Sequence, residues 1–365
     1  MLTTAFNRRS VLGLMGAGAA SLALPMPGLR AQSLEKINYI FAFPAISTIV
    51  ANQTSIPKYY GLFEKEGLEV EQNVSSGGAS TAIQLVTSGD QQVASGSIDQ
   101  TLVRAAAGED LGLTLFYNQI RRNNTTLVTN QDSDVRTIAD LRGKTVGVQS
   151  LGSAPEKTLR IVLRDNDIDP DTEVTFVAVG IAAQALQALR GGEVDAYVAA
   201  LGTVSTMEAL GEKFHYPEMP AYLRESIGPG LFTRRDMIES HRQQLVGIGR
   251  VVAKSTVFVK ANPEAAVRIH WHVYPEQVPQ GMGFDEALAN AVDGLRRQID
   301  LLEFQPNETV RKYGFMSDAA IDQLKRIQGA EAVDSSLYFS NALVDEINDF
   351  NVSEMEALAK NFTGV

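Results

Sequence analysis

Two spacings of apolar residues alternate along the first two thirds of the chain. Short, often β-branched runs at residues 37–43, 68–74, 92–95, 111–119, 126–129, 145–148, 174–179 and 194–199 predict strands. Between them, apolar positions recur at helical spacing over 79–87, 100–107, 154–165, 182–189 and 202–210. A further helix starts after Thr54, with Pro57 suited to its first turn, and stops at Gly61. Strands alternating with helices of this length predict βαβ units, hence an α/β fold on mostly parallel sheets. After about Arg234 the strand pattern stops, and 240–260, 263–273, 285–301, 318–327 and 353–361 predict helices alone.

Composition marks where the chain changes sheet. The polar Arg121-Arg122-Asn123-Asn124 follows the fourth strand, so residues 119–124 predict the exit from a first sheet. Pro217, Pro220 and Pro229 mark a return between 215 and 230. Two crossings predict two hinged lobes: 34–119 with 225–365 in the first, and 120–224 in the second. The C-terminal helices are expected to pack back on the first lobe.

Residues 139–157 organise the rest. The turn 137–141 leads through Arg142-Gly143 into the strand 145–148, and 149–153 make a small polar loop with Gly152 relieving backbone constraint. Ser153 then stands as an N-cap, with Pro155 in the first helical turn and Glu156 beside it. The expected product is a helix N-terminus whose amides and dipole face whatever lies past the strand's carboxyl end. Such a place holds anions and polar groups without catalytic machinery.

Three segments resemble one family. Asp140-Leu-Arg-Gly-Lys-Thr-Val-Gly-Val, Tyr60-Gly-Leu-Phe-Glu-Lys-Glu-Gly-Leu-Glu-Val and Gly191-Gly-Glu-Val-Asp-Ala-Tyr are similar, in order and spacing, to periplasmic solute-binding proteins of the sulfonate, nitrate and thiamine-precursor cluster. The resemblance covers about residues 35 to 235; beyond that only the helical character matches. It implies a two-lobed type II periplasmic binding protein with a helical C-terminal extension. It further implies the solute receptor of an ATP-driven importer, with separate membrane permease subunits as partners, no cofactor and no catalytic residue. A monomer is expected.

Composition narrows the classes. The net charge of −11 becomes −14 without Arg8, Arg9 and Arg30, the only charges in residues 1–31. That balance argues against nucleic acid and against an anionic membrane surface. The absence of cysteine removes disulfides, thiolate metal sites, thiol nucleophiles and a cysteine lipid anchor. Asn7-Arg8-Arg9-Ser10-Val11-Leu12, followed by an apolar run to Leu24, reads as a twin-arginine signal over residues 1–31, which implies export to the periplasm.

Ligands of open α/β sheets bind outside the carboxyl ends of strands. Across two lobes those ends offer small polar residues as ligand-binding candidates. In the first lobe they are Ser47, Asn52, Gln53, Gly77, Gly78, Ser97 and Asp99; in the second, Ser150, Gly152, Ser153, Gly180 and Thr203. Any one strand-end loop reads better as a plain turn; the five at 75–79, 96–99, 149–153, 180 and 200–203, in register across two lobes, favour binding. Phe43 and Tyr117 are candidates to stack on a planar ligand or to pack in the core. Arg121 is a candidate fork for an anionic group, its alternative being a solvated hinge residue, and Arg122 shares both readings. The expected guest is a small organic anion, a sulfonate or carboxylate, aromatic ones included, with a thiamine-type pyrimidine as the alternative.

Other chemistry is excluded by spacing. Gly143-Lys144-Thr145 lacks a nucleotide-loop glycine at Ile138 and precedes its strand. Ser150 and Gly152 lack the second elbow glycine at Val148. Asp165 to Asp171 imitates a calcium loop, but Pro170 takes the glycine position and Phe176 that of the bidentate glutamate. His270 and His272, two apart on a helix, point to different faces. A pyrimidine-synthase relative is disfavoured without its cysteine motif. A periplasmic lyase or hydrolase would need an acid/base pair in the cleft, and an exported sensor receptor is not separable from a transport role by sequence.

Overall fold

The runs read as strands assemble into two five-stranded sheets. The structure, a computed structural model, describes residues 33–43, 45–305 and 308–364. The twin-arginine segment lies outside them. In chain order the strands are β1 (Glu35–Phe41), β2 (Leu68–Val74), β3 (Val93–Gly96), β4 (Leu113–Tyr117), β5 (Thr125–Asn130), β6 (Thr145–Val148), β7 (Thr175–Ala178), β8 (Ala196–Ala200), β9 (Phe214–His215) and β10 (Gly230–Arg234). The helices of the alternating part are α1 (Ser55–Tyr60), α2 (Leu62–Lys65), α3 (Gly78–Ser88), α4 (Asp99–Ala106), α5 (Ala154–Asp165), α6 (Ala183–Arg190) and α7 (Leu201–Ala209). The C-terminal part is helical: α8 (Met237–Ser240), α9 (Arg242–Ala261), α10 (Pro263–Val273), α11 (Phe284–Leu302), α12 (Asp318–Ile327), α13 (Ser335–Tyr338), α14 (Val344–Ile347) and α15 (Val352–Lys360). No helix of the described residues is long and apolar enough to cross a membrane.

The first sheet has the order β2-β1-β3-β10-β4, the second β7-β6-β8-β5-β9. In each, three neighbouring strands are parallel, β2-β1-β3 and β7-β6-β8. The remaining pairings, β10 with β3 and β4, and β5 with β8 and β9, are antiparallel. The sheets are therefore mixed, which corrects the expectation of mostly parallel ones. β10 was not expected as a strand at all. It returns from the second lobe and inserts between two strands laid down long before it, a long-range pairing that its five residues do not announce.

Alternating side chains along each strand feed both faces of its sheet. On one face of the first sheet, Ile37, Tyr39 and Phe41 pack with Val251, Phe258, Ile269 and Leu295 of the C-terminal helices. On the other face, Ile40, Ala94 and Leu115 meet Ile83 and Val86 of α3 and Leu324 of α12. In the second sheet, Val146 and Val148 pack on Leu159 and Val162 of α5, while Val128 and Tyr197 pack on Leu186 and Leu189 of α6.

Two crossing segments join the lobes and are bonded to each other. Ile120 N donates to Pro229 O and Gly228 N to Ile120 O, each at 2.9 Å. Gly228 lies so close to the carbonyls of Ile120 and Arg122 that a Cβ would not fit. The pair forms a narrow two-stranded hinge.

Candidate functional site

The strand-end loops of the two lobes approach each other at two points. Ile49, in the loop after β1, lies against Gly202 at the start of α7 and leaves no room there for a Cβ. Asp99, at the start of α4 in the first lobe, feels the positive charge of Lys157 in α5 of the second. The loops at the carboxyl ends of β1, β3, β6 and β8 thus face one another across the cleft between the lobes.

Asp99 sets the electrostatics on the first-lobe side. Burial of its carboxyl raises the pKa above the ordinary aspartate range, opposed by the Ser97 hydroxyl and by Lys157. The residue as a whole is only half-buried, so the desolvated group sits at the cleft wall. Ser97 Oγ also accepts from Asp99 N at 3.0 Å. Nearby, the turn after β2 is tied to the end of β1: Ser75 N donates to Phe41 O and Phe43 O, and Ser75 Oγ to Gly78 O. Gly78 has φ +64, a left-handed conformation that its turn requires.

On the opposite side the α5 entrance differs from expectation. The helix begins after Ser153 with Pro155 in its first turn, as its sequence indicates, but the Ser153 side chain caps nothing. Glu156, 4% exposed, supplies the anion instead. Its carboxylate accepts from Gly152 N at 2.6 Å and from Arg160 Nε at 2.7 Å. That amide belongs to the loop just before the N-cap, and no side chain caps the first amides of the helix. Lys157 follows directly, and its ammonium donates no hydrogen bond among the described residues. In the loop after β7, Ala182 has φ 47 and ψ −114, a strained backbone for a residue with a Cβ. Beside it, Gly180 O accepts from the Tyr197 hydroxyl at 2.9 Å.

The candidate residues separate by exposure. Ser47, Ser97, Asp99, Ser153, Gly180 and Thr203 are half-buried at strand ends, as are Phe43 and Gly78, while Gly77, Ser150 and Gly152 are exposed. Four others are inside the protein. Asn52 donates to Thr256 Oγ1 at 2.9 Å, and Gln53 accepts from the Tyr39 hydroxyl. Tyr117 is buried in the first-lobe core, where burial raises its pKa far above the ordinary tyrosine value. Arg121 gives Nε and Nη2 to Glu308 and lies 4.6 Å from the Phe304 ring centroid. Its fork is filled by that carboxylate and is not open to a ligand. Arg122 Nη2 donates to Asp300 O at 2.6 Å.

Lys157 and Ile49 were missed by sequence reasoning, and Glu156 was read as the acid of the first turn but not as the partner of Gly152 N and Arg160. Lys157 carried a readable signal: a cation in the first turn opposes the helix dipole, so its position there asks for a function. Ile49 carried none, because its partner belongs to the other lobe. His270 and His272 do not converge; one bonds Ser55 and Gln277 inside, the other meets the Tyr59 ring edge-on. Among the described residues no group of His, Asp and Glu is arranged to hold a metal ion.

Comparison with known proteins places this geometry. A family model described as NMT1/THI5 like matches residues 55–266, more than half of the chain. A putative binding protein of Bacillus subtilis (strain 168), YtlA, is 29% identical over 117 residues, covering 32% of this chain and 35% of that protein. The chain thus aligns with about a third of the length of that curated relative. A solved structure from Bordetella bronchiseptica RB50 superposes with TM-score 0.64 at 20% identity, covering 86% of this chain and 97% of that one. A structure described as a putative periplasmic sulfonate-binding protein, SsuA, from Methylobacillus flagellatus KT gives 0.58 at 17% identity, covering 92% and 98%. The resemblance read from three sequence segments is borne out: the chain belongs to the NMT1/THI5-like family and has the two-lobed type II periplasmic binding protein fold.

Proposed function

We propose that this protein is the extracytoplasmic solute receptor of an ABC importer, capturing a small organic anion, a sulfonate or carboxylate, between its lobes. The observation that carries the reading is Lys157. It stands at a helix N-terminus on one wall of the cleft, opposite Asp99, without a hydrogen-bonded partner of its own. An anionic head group would find there an ammonium and the first helix amides together. Half-buried Phe43 and Ile49 give the cleft an apolar part for the body of an aromatic or aliphatic guest. Hinge closure would bury the guest, and the closed form would dock on permease subunits. Capture requires no bond making, and turnover of a bound guest would count against the reading.

A second reading rests on Asp99. A desolvated carboxyl suits the amino and ring nitrogens of a thiamine-type pyrimidine. A thermal-shift panel of sulfonates, aromatic carboxylates and aminopyrimidines separates the two. A guest at a hundred times its Kd adds about 2.7 kcal/mol of stability. Lys157→Met is expected to weaken anion binding by about tenfold or more, as loss of a charge-assisted contact does, and to leave the apo melting temperature nearly unchanged. If pyrimidines shift the protein, and Asp99→Asn rather than Lys157→Met abolishes the shift, the second reading replaces the first.

A further inference from the structure

At the hinge, three buried side chains carry oxygens with no hydrogen-bond partner among the described residues: Gln119 Oε1, Ser205 Oγ and Gln298 Oε1. The residues are 7%, 5% and 5% exposed. A buried polar atom left unmet loses its hydration without a replacement, so three on joined elements need an account.

They come from three elements that meet at the hinge. Arg121 N donates to Leu301 O of α11 at 2.8 Å, and Leu201 N of α7 to Asn124 O at 2.8 Å. A Cβ on Gly294 of α11 would lie 3.5 Å from Ser205 Cβ of α7. Gln298 stands four residues beyond Gly294 and so lies on the same stripe of α11. Gln119 lies in the hinge segment between Tyr117 and Arg121 and is buried like both of them. Those two turn toward the helical layer, Tyr117 reaching Thr256 and Arg121 reaching Phe304. The three residues therefore belong to elements that join at one corner, that of the hinge, α7 and α11. Asn52, bonded to Thr256, belongs to the loop that also places Ile49 on Gly202.

At its edge two guanidinium nitrogens, Arg122 Nε and Arg297 Nε, are also unpartnered. Their terminal nitrogens are bound to Asp300 O and to Glu208. Acceptors and donors left open on the same joined elements match a group that both gives and takes a hydrogen bond. We propose that Gln119, Ser205 and Gln298 form a hydrogen-bonding subsite at the hinge end of the cleft that takes a hydroxyl or carboxamide of the captured solute. The proposal rests on capture in the cleft and adds the solute's second polar group.

The test uses pairs that exchange a hydroxyl for a methyl: isethionate against 1-propanesulfonate, and 4-hydroxybenzoate against 4-methylbenzoate, titrated calorimetrically into the full chain. A site built to bond a hydroxyl rejects the analogue lacking it, so a preference of about tenfold or more is expected in at least one pair. Gln298→Met and Ser205→Ala should bring that ratio toward one. Equal affinities in the unsubstituted protein, or a preference that survives both substitutions, would overturn the subsite. If neither pair binds, the anion reading fails by itself, and the apo melting curve of Gln298→Met decides this one. An unchanged or raised Tm supports the subsite; a fall of several degrees overturns it, because the carboxamide would then be serving the fold.

Discussion

Arg121 gives its guanidinium to Glu308, 187 positions further along the chain, with side-chain exposures of 3% and 19%. Read locally, Arg121-Arg122 at a crossover offers a free fork for an anion and a solvated hinge charge on equal terms. Neither reading names a carboxylate from the C-terminal region, and nothing in the local spacing could. Charge pairing at such separation is decided by topology. Removing one partner of a buried pair leaves the other uncompensated, so Glu308→Ala is expected to lower stability by about 3 kcal/mol in urea unfolding. Replacing both, as Arg121→Met with Glu308→Leu, should recover most of that loss, as apolar isosteres of buried pairs do. A Glu308→Ala protein as stable as the parent would mean the pair is solvated. The same logic explains why Asn52 and Gln53 were legible as polar residues near strand ends but not as interior ones, whereas the core reading of Tyr117 holds. Their burial comes from the helices packed over them.

At the scale of elements, most of the alternating part was readable. The run 145–148 and the helix start at Ser153-Ala154-Pro155 appear where the β-branched run and the Pro in the first turn place them. Gly147 adds a packing reason: a Cβ there would lie 2.9 Å from Val179 and 3.2 Å from Tyr197. The partner of the helix entrance was not readable: Ser153 caps nothing, and Glu156 reaches back from inside the first turn to the loop amide of Gly152. Its carboxylate joins a helix dipole, a backbone amide and Arg160, which also lies over the Phe176 ring. Glu156→Ala should therefore cost about 2 kcal/mol, from the lost charge at the helix end and the stranded donors. Chemical denaturation reads the loss. Glu156→Gln, which keeps an acceptor, should recover part of it; equal loss in both would assign the effect to charge alone. β10 was unreadable for the opposite reason. Its sequence permits a strand, but the partners that make it one, β3 and β4, precede it by more than a hundred residues.

The whole molecule is held together where the C-terminal helices close over the first sheet, and there the fold makes a pH-dependent commitment. His270 of α10 is fully buried, with Nδ1 3.0 Å from Ser55 Oγ of α1 and Nε2 3.4 Å from Gln277 Oε1. Tyr274 stacks beside it at 5.1 Å, and no carboxylate is bonded to it. Burial pushes the imidazole pKa down from 6.5 to about 4, opposed only weakly by Gln277. The folded protein thus keeps this ring neutral where the unfolded chain would protonate it. Between those two values the unfolded state binds more protons, so stability is complete above about pH 6.5 and declines as the pH falls toward 4. The whole step is on the order of 3 kcal/mol. Asp110 acts in a separate window: Arg235 and Gly112 N hold its pKa near 2, so its contribution is present above the ordinary carboxylate range and goes only as the pH falls toward 2. Melting temperatures of the parent should therefore drop between pH 7 and pH 4.5, before most carboxylates titrate. His270→Gln keeps a polar partner for Ser55 and removes the titration, so its curve over the same range should be flatter, whatever its absolute stability. Parallel curves for the two proteins would show that His270 is protonated inside the fold, and the packing of α10 on α1 would then have to admit a charge.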